Sequence, residues 1–316
     1  WRRRVVVLPS STMPGHPWRP AGSSEDTKYF LGAQAMLLLP MAVFLPTVAL
    51  FFGWAAVIAS VVPCLFVMSA FYAAAFMDPG HLPKRSEAAA LLEEEGKLLS
   101  YGSLELEEAE CGMLIPPPPR EVYLGGVEYQ LKYCMTCHIW RPPRSSHCRV
   151  CDRCVVLFDH HCPWIGTCVG RRNLQPFLAF VWGTALLLLL AFSVSVMQVA
   201  YIFISNGEQG VAPADALIAS ATSWPPENLL FGMAVCFYCM LMAVPVGLLA
   251  FGFLSAVSMN VTTNEDLKTN YREEGSPFSQ GCAKNWLTLV FAGKYPRMGP
   301  KKKGSNGVNW KQLPSS

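Results

Sequence analysis

The stretch Cys134–Cys168 reads CMTCHIWRPPRSSHCRVCDRCVVLFDHHCPWIGTC, and the rest of the chain is best understood from it. It holds seven of the 12 cysteines and four of the six histidines in a chain of 316 residues. No other part of the sequence gathers so many thiol and imidazole groups. Because such side chains bind transition metals or act as nucleophiles, this stretch is the first candidate for a functional site.

The chain as a whole is too apolar for an ordinary soluble protein, since 52% of its residues are hydrophobic and 15% are charged. Segments 29–77, 173–206 and 228–260 contain no Asp, Glu, Lys or Arg. Roughly 20 apolar residues cross a bilayer, and 29–77 is long enough for two spans, about 32–52 and 54–76, with a turn between them. The sequence therefore predicts an α-helical integral membrane protein with four transmembrane helices and a small two-zinc cysteine-rich cytosolic domain between helices 2 and 3.

The distribution of Lys and Arg predicts the orientation of these helices. Segment 78–172 carries 11 of these residues, while the predicted lumenal loop 207–227 carries none. By the positive-inside rule, both termini and the cysteine-rich stretch are expected in the cytosol. The net charge of +3 is thus a sign of topology and not of nucleic-acid binding. Lys301–Lys303 could contact anionic membrane lipids or could simply be solvated.

The remaining segments are polar or irregular. The chain starts at Trp1 and not at methionine, so we expect a truncated N-terminus. Residues 1–28 are expected to be a disordered cytosolic segment, and 78–133 a cytosolic linker containing an acidic helix at 87–109. Residues 261–316 are expected to form a cytosolic C-terminal segment with a short apolar piece at 285–292. The turn signal Asp78-Pro79-Gly80 ends the second span.

Ligand spacing and strand geometry predict two metal sites in the cysteine-rich stretch, because C-x2-C pairs commonly supply two of the four ligands of a tetrahedral zinc ion. Cytosolic thiols stay reduced, which favours metal binding over disulfides. Adjacent residues of an extended chain point to opposite sides, so His147 and Cys148 should serve different metals. The first predicted cluster is Cys134, Cys137, His147 and Cys154. The second predicted cluster is Cys148, Cys151, His161 and Cys168.

Three residues are left over from this count: His138, His160 and Cys162. Cys162 follows Asp159 and His160 directly, and an Asp–His pair can remove a proton from a thiol. We therefore expect Cys162 to be a nucleophile with His160 as its base and Asp159 as the group that orients the base. The alternative is that Cys162 is an inert packed thiol or a substitute ligand. His138 is expected to be solvated or hydrogen-bonded.

These residues resemble the DHHC family of protein S-acyltransferases (palmitoyltransferases). The match runs through Asp159-His160-His161-Cys162-Pro163-Trp164, with Asp78-Pro79-Gly80 and Thr262-Thr263-Asn264-Glu265, the latter similar to the family's TTxE motif. The resemblance implies a ping-pong reaction in which Cys162 takes a fatty acyl group from palmitoyl-CoA and passes it to cysteines of membrane-associated or cytosolic proteins. It also implies structural zinc at both clusters.

The resemblance further implies supporting roles outside the metal clusters. Thr263 would form a hydrogen bond near Asp159, and Asn285 resembles the asparagine of the family's C-terminal segment. Trp164 would pack beside the acyl chain or anchor the domain at the interface, and Leu187 would line a cavity for the chain.

The segments KYCxTCxxxRPPRxSHC, TTNED and SPFSQG are similar to the branch that acylates Ras-like proteins at the Golgi and endoplasmic reticulum, often with a small accessory subunit. Two other functions are compatible with parts of the sequence. A membrane-anchored zinc interaction module, such as a RING-like ubiquitin ligase, shares interleaved ligands but gives no role to Asp159 and Cys162. A transporter is disfavoured because no ionisable residue other than cysteine and tyrosine lies inside a predicted span.

Overall fold

The computed structural model describes residues 24–84, 120–124, 127–215, 218, 229–268 and 275–291. The predictions for residues 1–23, for the acidic helix at 87–109 and for the tail from 292 onward lie outside these ranges.

Three long helices form most of the described structure: α1 (Ser24–Phe76), α2 (Leu174–Glu208) and α3 (Leu229–Met259). Within the described residues, three helical segments are long and apolar enough to cross a membrane, namely Phe52–Phe76, α2 and α3. Large apolar side chains such as Leu186, Leu248 and Phe251 are exposed on these helices, as is typical of surfaces that face lipid. The chain is thus a helical membrane protein.

Helix α1 is broken at Gly53, within the predicted turn at 52–54. Gly53 has φ 74° and ψ 179°, a conformation open to glycine because it lacks a Cβ. The two halves fold back on each other, with the rings of Phe30 and Phe71 stacked at 5.3 Å and the Cys64 thiol 3.1 Å from the sulfur of Met41. The break therefore turns α1 into a helical hairpin.

The start of α1 corrects one sequence prediction. Residues 24–28 were assigned to a disordered segment that ends at 28, but the helix begins at Ser24. Asp26 in its first turn is buried, with 6% of its surface exposed. Composition alone missed this helical turn because its polar Asp26 is buried beside His161 of the cysteine-rich stretch and does not face solvent.

The helices pack around a core that also includes the cysteine-rich stretch. Its largest buried members come from α1, α2 and α3 and include Phe71, Phe177, Leu178, Phe253 and Val257. Buried residues from the cysteine-rich stretch, among them Cys162 and Ile165, belong to the same core. The membrane helices and the candidate site are therefore packed against each other.

The region between α1 and α2 consists of short antiparallel hairpins. Each pair forms a separate two-stranded sheet: β1 (Arg120–Leu124) with β2 (Val127–Leu131), β3 (Tyr133–Cys134) with β4 (Ile139–Trp140), β5 (Ser146–Cys148) with β6 (Arg153–Val155), and β7 (His160–Cys162) with β8 (Thr167–Val169). A 3₁₀ turn, Pro163–Ile165, connects β7 to β8.

The segment after α1 is joined to the hairpins by backbone hydrogen bonds. The N–H of Val156 donates to the Gly80 carbonyl at 3.0 Å, and the N–H of Arg172 donates to the Pro79 carbonyl at 3.2 Å. A Cβ on Gly170 would lie 2.6 Å from the Pro79 carbonyl oxygen and 2.6 Å from a Val155 methyl group. The two segments therefore approach closely enough that only glycine fits at 170.

Two polar side chains complete this junction. Asp78 forms an ion pair with Arg172 at the start of α2. Asn173 is fully buried, and its amide donates to the Ala74 carbonyl at 2.9 Å and to the Cys168 carbonyl at 2.8 Å. Because a buried amide must be satisfied, Asn173 fixes the end of α1, the last hairpin and the start of α2 relative to one another.

Two short helices follow α3: α4 (Thr263–Leu267) and α5 (Cys282–Phe291). Thr262 caps α4 in a capping box, accepting from the Glu265 N–H while the Glu265 carboxylate accepts from the Thr262 N–H. Helix α5 includes residues 285–291 of the apolar 285–292 segment. Its Trp286 packs on Trp182 of α2, with 5.1 Å between the ring centroids.

Candidate active site and metal centres

The first cluster brings together all four of its predicted ligands. Nδ1 of His147 lies 3.6 Å from the Cys134 sulfur, 3.4 Å from the Cys137 sulfur and 3.9 Å from the Cys154 sulfur. Tetrahedral zinc, with bonds of about 2.3 Å to sulfur and about 2.0 Å to nitrogen, places its S and N ligands about 3.6 Å apart. The donor set and spacing therefore fit a zinc ion.

The second cluster has the same geometry. Nδ1 of His161 lies 3.7 Å from the Cys148 sulfur, 3.4 Å from the Cys151 sulfur and 3.6 Å from the Cys168 sulfur. The ligand atoms of each cluster all lie within 4.8 Å of one another. Both sets are therefore positioned to bind a metal ion with four protein ligands, which is typical of closed structural zinc sites.

Strand alternation explains why the ligands interleave. His147 and Cys148 are neighbours in β5 and point to opposite sides, so each enters a different cluster. Two histidines also face a cysteine ligand across their hairpins, His147 opposite Cys154 and His161 opposite Cys168. The prediction that adjacent residues serve different metals agrees with this arrangement.

Each ligand histidine directs its second ring nitrogen toward a carboxylate. Nε2 of His147 lies 3.8 Å from Asp152, whose side chain is 58% exposed. Nε2 of His161 lies 3.6 Å from the buried carboxylate of Asp26. Carboxylates at this position are common around metal-bound histidines, where they fix the proton on the outward nitrogen. This is a second observation that fits metal ligation through Nδ1.

Asp159 and two of the leftover residues, His160 and Cys162, lie together at the end of the second cluster. An oxygen of Asp159 is 2.7 Å from Nδ1 of His160, and the His160 imidazole interacts with the Cys162 thiol. The Asp159 hydrogen bond leaves Nε2 of His160 as the nitrogen that can take up a proton. Cys162 belongs to neither cluster, and His138, with φ 53°, also lies outside both.

The surroundings of His160 favour its protonated form. Burial alone would lower the pKa of His160, but interactions with the Asp159 carboxylate and the Cys162 sulfur raise that pKa to about 9. The rings of Phe177 and Phe253 lie 5.4 Å and 6.3 Å from the imidazole. The pair His160–Cys162 is therefore enclosed by side chains of α2 and α3.

The TTxE motif contacts this group directly. The backbone N–H of Thr263 donates to the second oxygen of Asp159 at 2.8 Å. Both carboxylate oxygens of Asp159 are thus occupied, one by His160 and one by the start of α4. The arrangement of a thiol, an imidazole and an oriented carboxylate is suited to nucleophilic catalysis by cysteine.

Comparison with known proteins agrees with this geometry. Residues 127–270 match the family model of the DHHC palmitoyltransferases. Palmitoyltransferase ZDHHC18 of Mus musculus is 38% identical over 209 residues, which cover 65% of this chain and 48% of that protein. Palmitoyltransferase ZDHHC14 of Danio rerio is 34% identical over 282 residues, which cover 79% of this chain and 52% of that protein. This chain therefore contains a DHHC domain.

A third relative, palmitoyltransferase ZDHHC9 of Danio rerio, is 35% identical over 240 residues, 73% of this chain and 56% of that protein. The chain therefore spans about half the length of the curated relatives it matches. The residues that match the family model, 127–270, include both clusters and the Asp159–Cys162 segment.

One important residue of the DHHC domain was missed from sequence. Arg144 is buried, and its guanidinium contacts both carboxylate oxygens of Glu265 at 2.7 Å and 2.6 Å. It also donates to Asn260 and lies 4.5 Å from the centre of the Phe278 ring. Because Glu265 belongs to α4, whose Thr263 N–H bonds to Asp159, Arg144 attaches this helix to the cysteine-rich stretch. The RPPR segment was the only sequence signal for it.

The other predicted site residues, Asn285, Trp164 and Leu187, lie outside the Asp159–His160–Cys162 group. Asn285 is buried in α5 and bonds to Ser258, Ser279 and the N–H of Gln280, so it fixes the C-terminal segment and touches no reacting group. Trp164 is 43% exposed and packs edge-on against Tyr29 at 5.5 Å. Leu187 is buried in α2. The roles predicted for Trp164 and Leu187 stay predictions.

Proposed function

We propose that this DHHC protein is a protein S-palmitoyltransferase that works through an acyl intermediate on Cys162. The observation that carries the proposal is the position of Cys162. It is the cysteine of the 134–168 stretch that neither cluster uses, and it lies beside His160 in a core shared with the membrane helices. The names of the relatives, all palmitoyltransferases, support the same reaction.

The first step would acylate the enzyme. His160 takes the proton of the Cys162 thiol, and the sulfur attacks the carbonyl carbon of palmitoyl-CoA. The bond between that carbon and the coenzyme A sulfur breaks, and the leaving sulfur receives the proton from His160. Asp159 holds the imidazole through Nδ1 and stabilises its positive charge, as carboxylates do in other Cys–His and Ser–His sites.

The second step would transfer the acyl group from Cys162 to the protein substrate. A cysteine thiol of the protein substrate gives its proton to His160, and its sulfur attacks the acyl carbon on Cys162. The thioester to Cys162 breaks, and Cys162 recovers a proton. One thioester is exchanged for another in each step, so no oxidant or reductant is required.

The eight cluster ligands would hold two structural zinc ions. Bound zinc would supply stability to hairpins that have little apolar core of their own. With all four positions filled by protein, neither cluster offers an open site for substrate, so the chemistry rests on Asp159, His160 and Cys162.

The membrane helices would receive the acyl chain. We infer four spans, with the half of α1 before Gly53 as the first, cytosolic termini and a cytosolic DHHC domain. The burial of Cys162 among side chains of α2 and α3 supports entry of the chain between these helices, with Leu187 as a proposed lining residue.

The similarity to the Ras-acylating branch supports a location in the Golgi or endoplasmic reticulum membrane. It also supports an accessory subunit and cysteine-bearing, membrane-associated protein substrates. These assignments rest on the KYCxTC, TTNED and SPFSQG segments alone. The alternative of a RING-like interaction module is not favoured, because Asp159, His160 and Cys162 form a connected group that ligand binding does not use.

The test is labelling of the purified chain with a clickable palmitoyl-CoA analogue. Cys162→Ala should abolish hydroxylamine-sensitive labelling and leave the zinc content at the level of the parent chain. Cys282→Ala removes an exposed cysteine far from the clusters and serves as the matched control, with labelling unchanged. Labelling that persists in Cys162→Ala would exclude Cys162 as the acceptor.

A further inference from the structure

The ring of His161 leaves one polar atom without a hydrogen bond. Its Nδ1 lies among the sulfurs of the second cluster, while its Nε2 is buried and makes no hydrogen bond within the described part of the chain. A histidine that gives its Nδ1 lone pair to a metal must carry its proton on Nε2. A buried N–H that lacks an acceptor is destabilising, because its lost hydrogen bonds to water are not replaced.

Asp26 is the carboxylate that faces this nitrogen. Its Oδ2 lies 3.6 Å from Nε2 of His161, although 135 positions separate the two residues in the chain. Asp26 is itself 6% exposed and sits in the first turn of α1. A shift of a few tenths of an ångström would bring the two atoms to hydrogen-bond distance.

We propose that Asp26 is a positioning residue of the second cluster, accepting the Nε2–H of His161 when that cluster holds its metal. The contact fixes the tautomer and orientation of His161. It also ties the start of the membrane hairpin to the strand that carries His160 and Cys162. Retention of this metal and docking of α1 are therefore coupled.

The first cluster offers an internal comparison. Asp152 lies 3.8 Å from Nε2 of His147, but it is 58% exposed and also pairs with Lys84. Solvent and Lys84 compete for its oxygens, so its effect on His147 should be small. Asp152 and Asp26 are thus the same chemical group at equivalent positions, one exposed and one buried.

The experiment measures zinc release from the full-length chain in detergent to excess 4-(2-pyridylazo)resorcinol, with no acyl donor present. Two ions should leave in two phases. Asp26→Ala should accelerate one phase 10–100-fold, the usual effect of losing such a carboxylate, and leave the other unchanged. Asp152→Ala should change the rate of zinc release by less than about threefold, because the Asp152 side chain is exposed to solvent. Asp215→Ala, an exposed acid on the loop after α2, should change neither phase.

Asp26→Asn separates a specific contact from general damage, because it keeps the shape and one acceptor oxygen. Its release rate should fall between those of the parent and Asp26→Ala. Equal acceleration of both phases by Asp26→Ala, no acceleration, or an Asn variant as fast as the Ala variant would overturn the proposal. Because zinc release is measured without acyl-CoA, these outcomes are independent of whether Cys162 transfers an acyl group.

Discussion

The two metal clusters have the same ligands but different surroundings. Each uses three cysteines and the Nδ1 of one histidine, and each contains one C-x2-C pair. The first cluster joins β3 to the β5–β6 hairpin, and its histidine faces the exposed Asp152. The second cluster includes His161, which is adjacent to His160 in β7 and faces Asp26 of α1.

Two clusters with the same ligand set can therefore have different roles, because they are connected to different parts of the fold. The second cluster is connected to the membrane helices at two points, through the Asp26 carboxylate and through the Cys168 carbonyl, which accepts a hydrogen bond from Asn173. The first cluster is connected to the segment after α1, where the Leu82 N–H donates to the Cys154 carbonyl at 2.7 Å. We therefore expect the second cluster to control the chemistry and the first to stabilise the hairpins around it.

Loss of a ligand from the second cluster should have the largest effect. Cys168→Ser removes one of the ligands that faces His161 across β7–β8, and structural zinc contributes on the order of 10 kcal/mol to folding. We expect loss of at least one zinc per chain, by elemental analysis, and no detectable acyl-enzyme. Acylation at the parent level with one zinc missing would contradict the proposed link between this cluster and Cys162.

Loss of a ligand from the first cluster should be less damaging to the chemistry. Cys134→Ser should release one zinc and unfold the β3–β4 hairpin, with a lower temperature of unfolding. Because Cys134 does not contact Asp159, His160 or Cys162, a measurable acyl-enzyme, roughly a tenth of the parent level, should remain in the folded fraction. If Cys134→Ser and Cys168→Ser lose acylation equally, the two clusters form one unit and the distinction fails.

Arg144 provides a test in the segment between the clusters. Arg144→Met leaves the buried Glu265 without its partner, and breaking such a pair is destabilising by about 3–5 kcal/mol. Denaturant unfolding should show this decrease in the free energy of unfolding. We also expect weaker acylation, since Glu265 belongs to the helix whose first N–H bonds to Asp159. Arg149→Met, a change of the same kind at an exposed position, is the control and should alter neither measurement.

The smallest effect is expected at Asp78, where α1 meets the β5–β6 hairpin. Burial alone would raise the pKa of Asp78, but hydrogen bonds from His81 and Gly80 lower it to about 2. A carboxyl group with a lowered pKa stabilises the fold above its unfolded pKa of about 3.9, and this stabilisation is lost as the pH falls toward 2. Asp78→Asn should therefore be less stable than the parent by roughly 2 kcal/mol at pH 7.

The difference between the parent and Asp78→Asn should be constant between about pH 6 and pH 5 and should shrink below about pH 4. Above pH 6 it should be smaller, because Asp78 also raises the pKa of His81, to about 9, and that stabilisation is lost as the pH rises toward 9. Denaturant unfolding of both proteins at each pH measures it, and the comparison cancels acid effects that the two share. A difference that grows as the pH falls from 5 to 3 has the wrong sign and would rule out a charged Asp78 as the stabilising form.

The sequence allowed the ligand assignment because it depends on local geometry. Two C-x2-C pairs and the alternation of His147 and Cys148 were sufficient to divide eight ligands between two metals. The membrane helices were equally predictable, since uncharged segments of this length have few other structures. The turn at Gly53 followed from the length of segment 29–77.

The contacts between distant segments could not be predicted in this way. Arg144 meets Glu265 across 121 positions, and Asp26 meets His161 across 135. Neither residue has a periodicity or spacing that marks it, because each acts through a single side chain whose partner is set by the packing of whole helices. The polar first turn of α1 looked disordered for the same reason.

Gly170 has a consequence for anyone who wishes to vary this protein. The space beside its Cα is closed by a backbone carbonyl and by a valine held in a strand, so no rotamer change can make room for a methyl group. Even alanine would act as a wedge between the end of the membrane hairpin and the metal-binding hairpins. Position 170 is therefore a fixed point for sequence design, whereas the lipid-facing surfaces of α2 and α3 can be rewritten with any apolar residues.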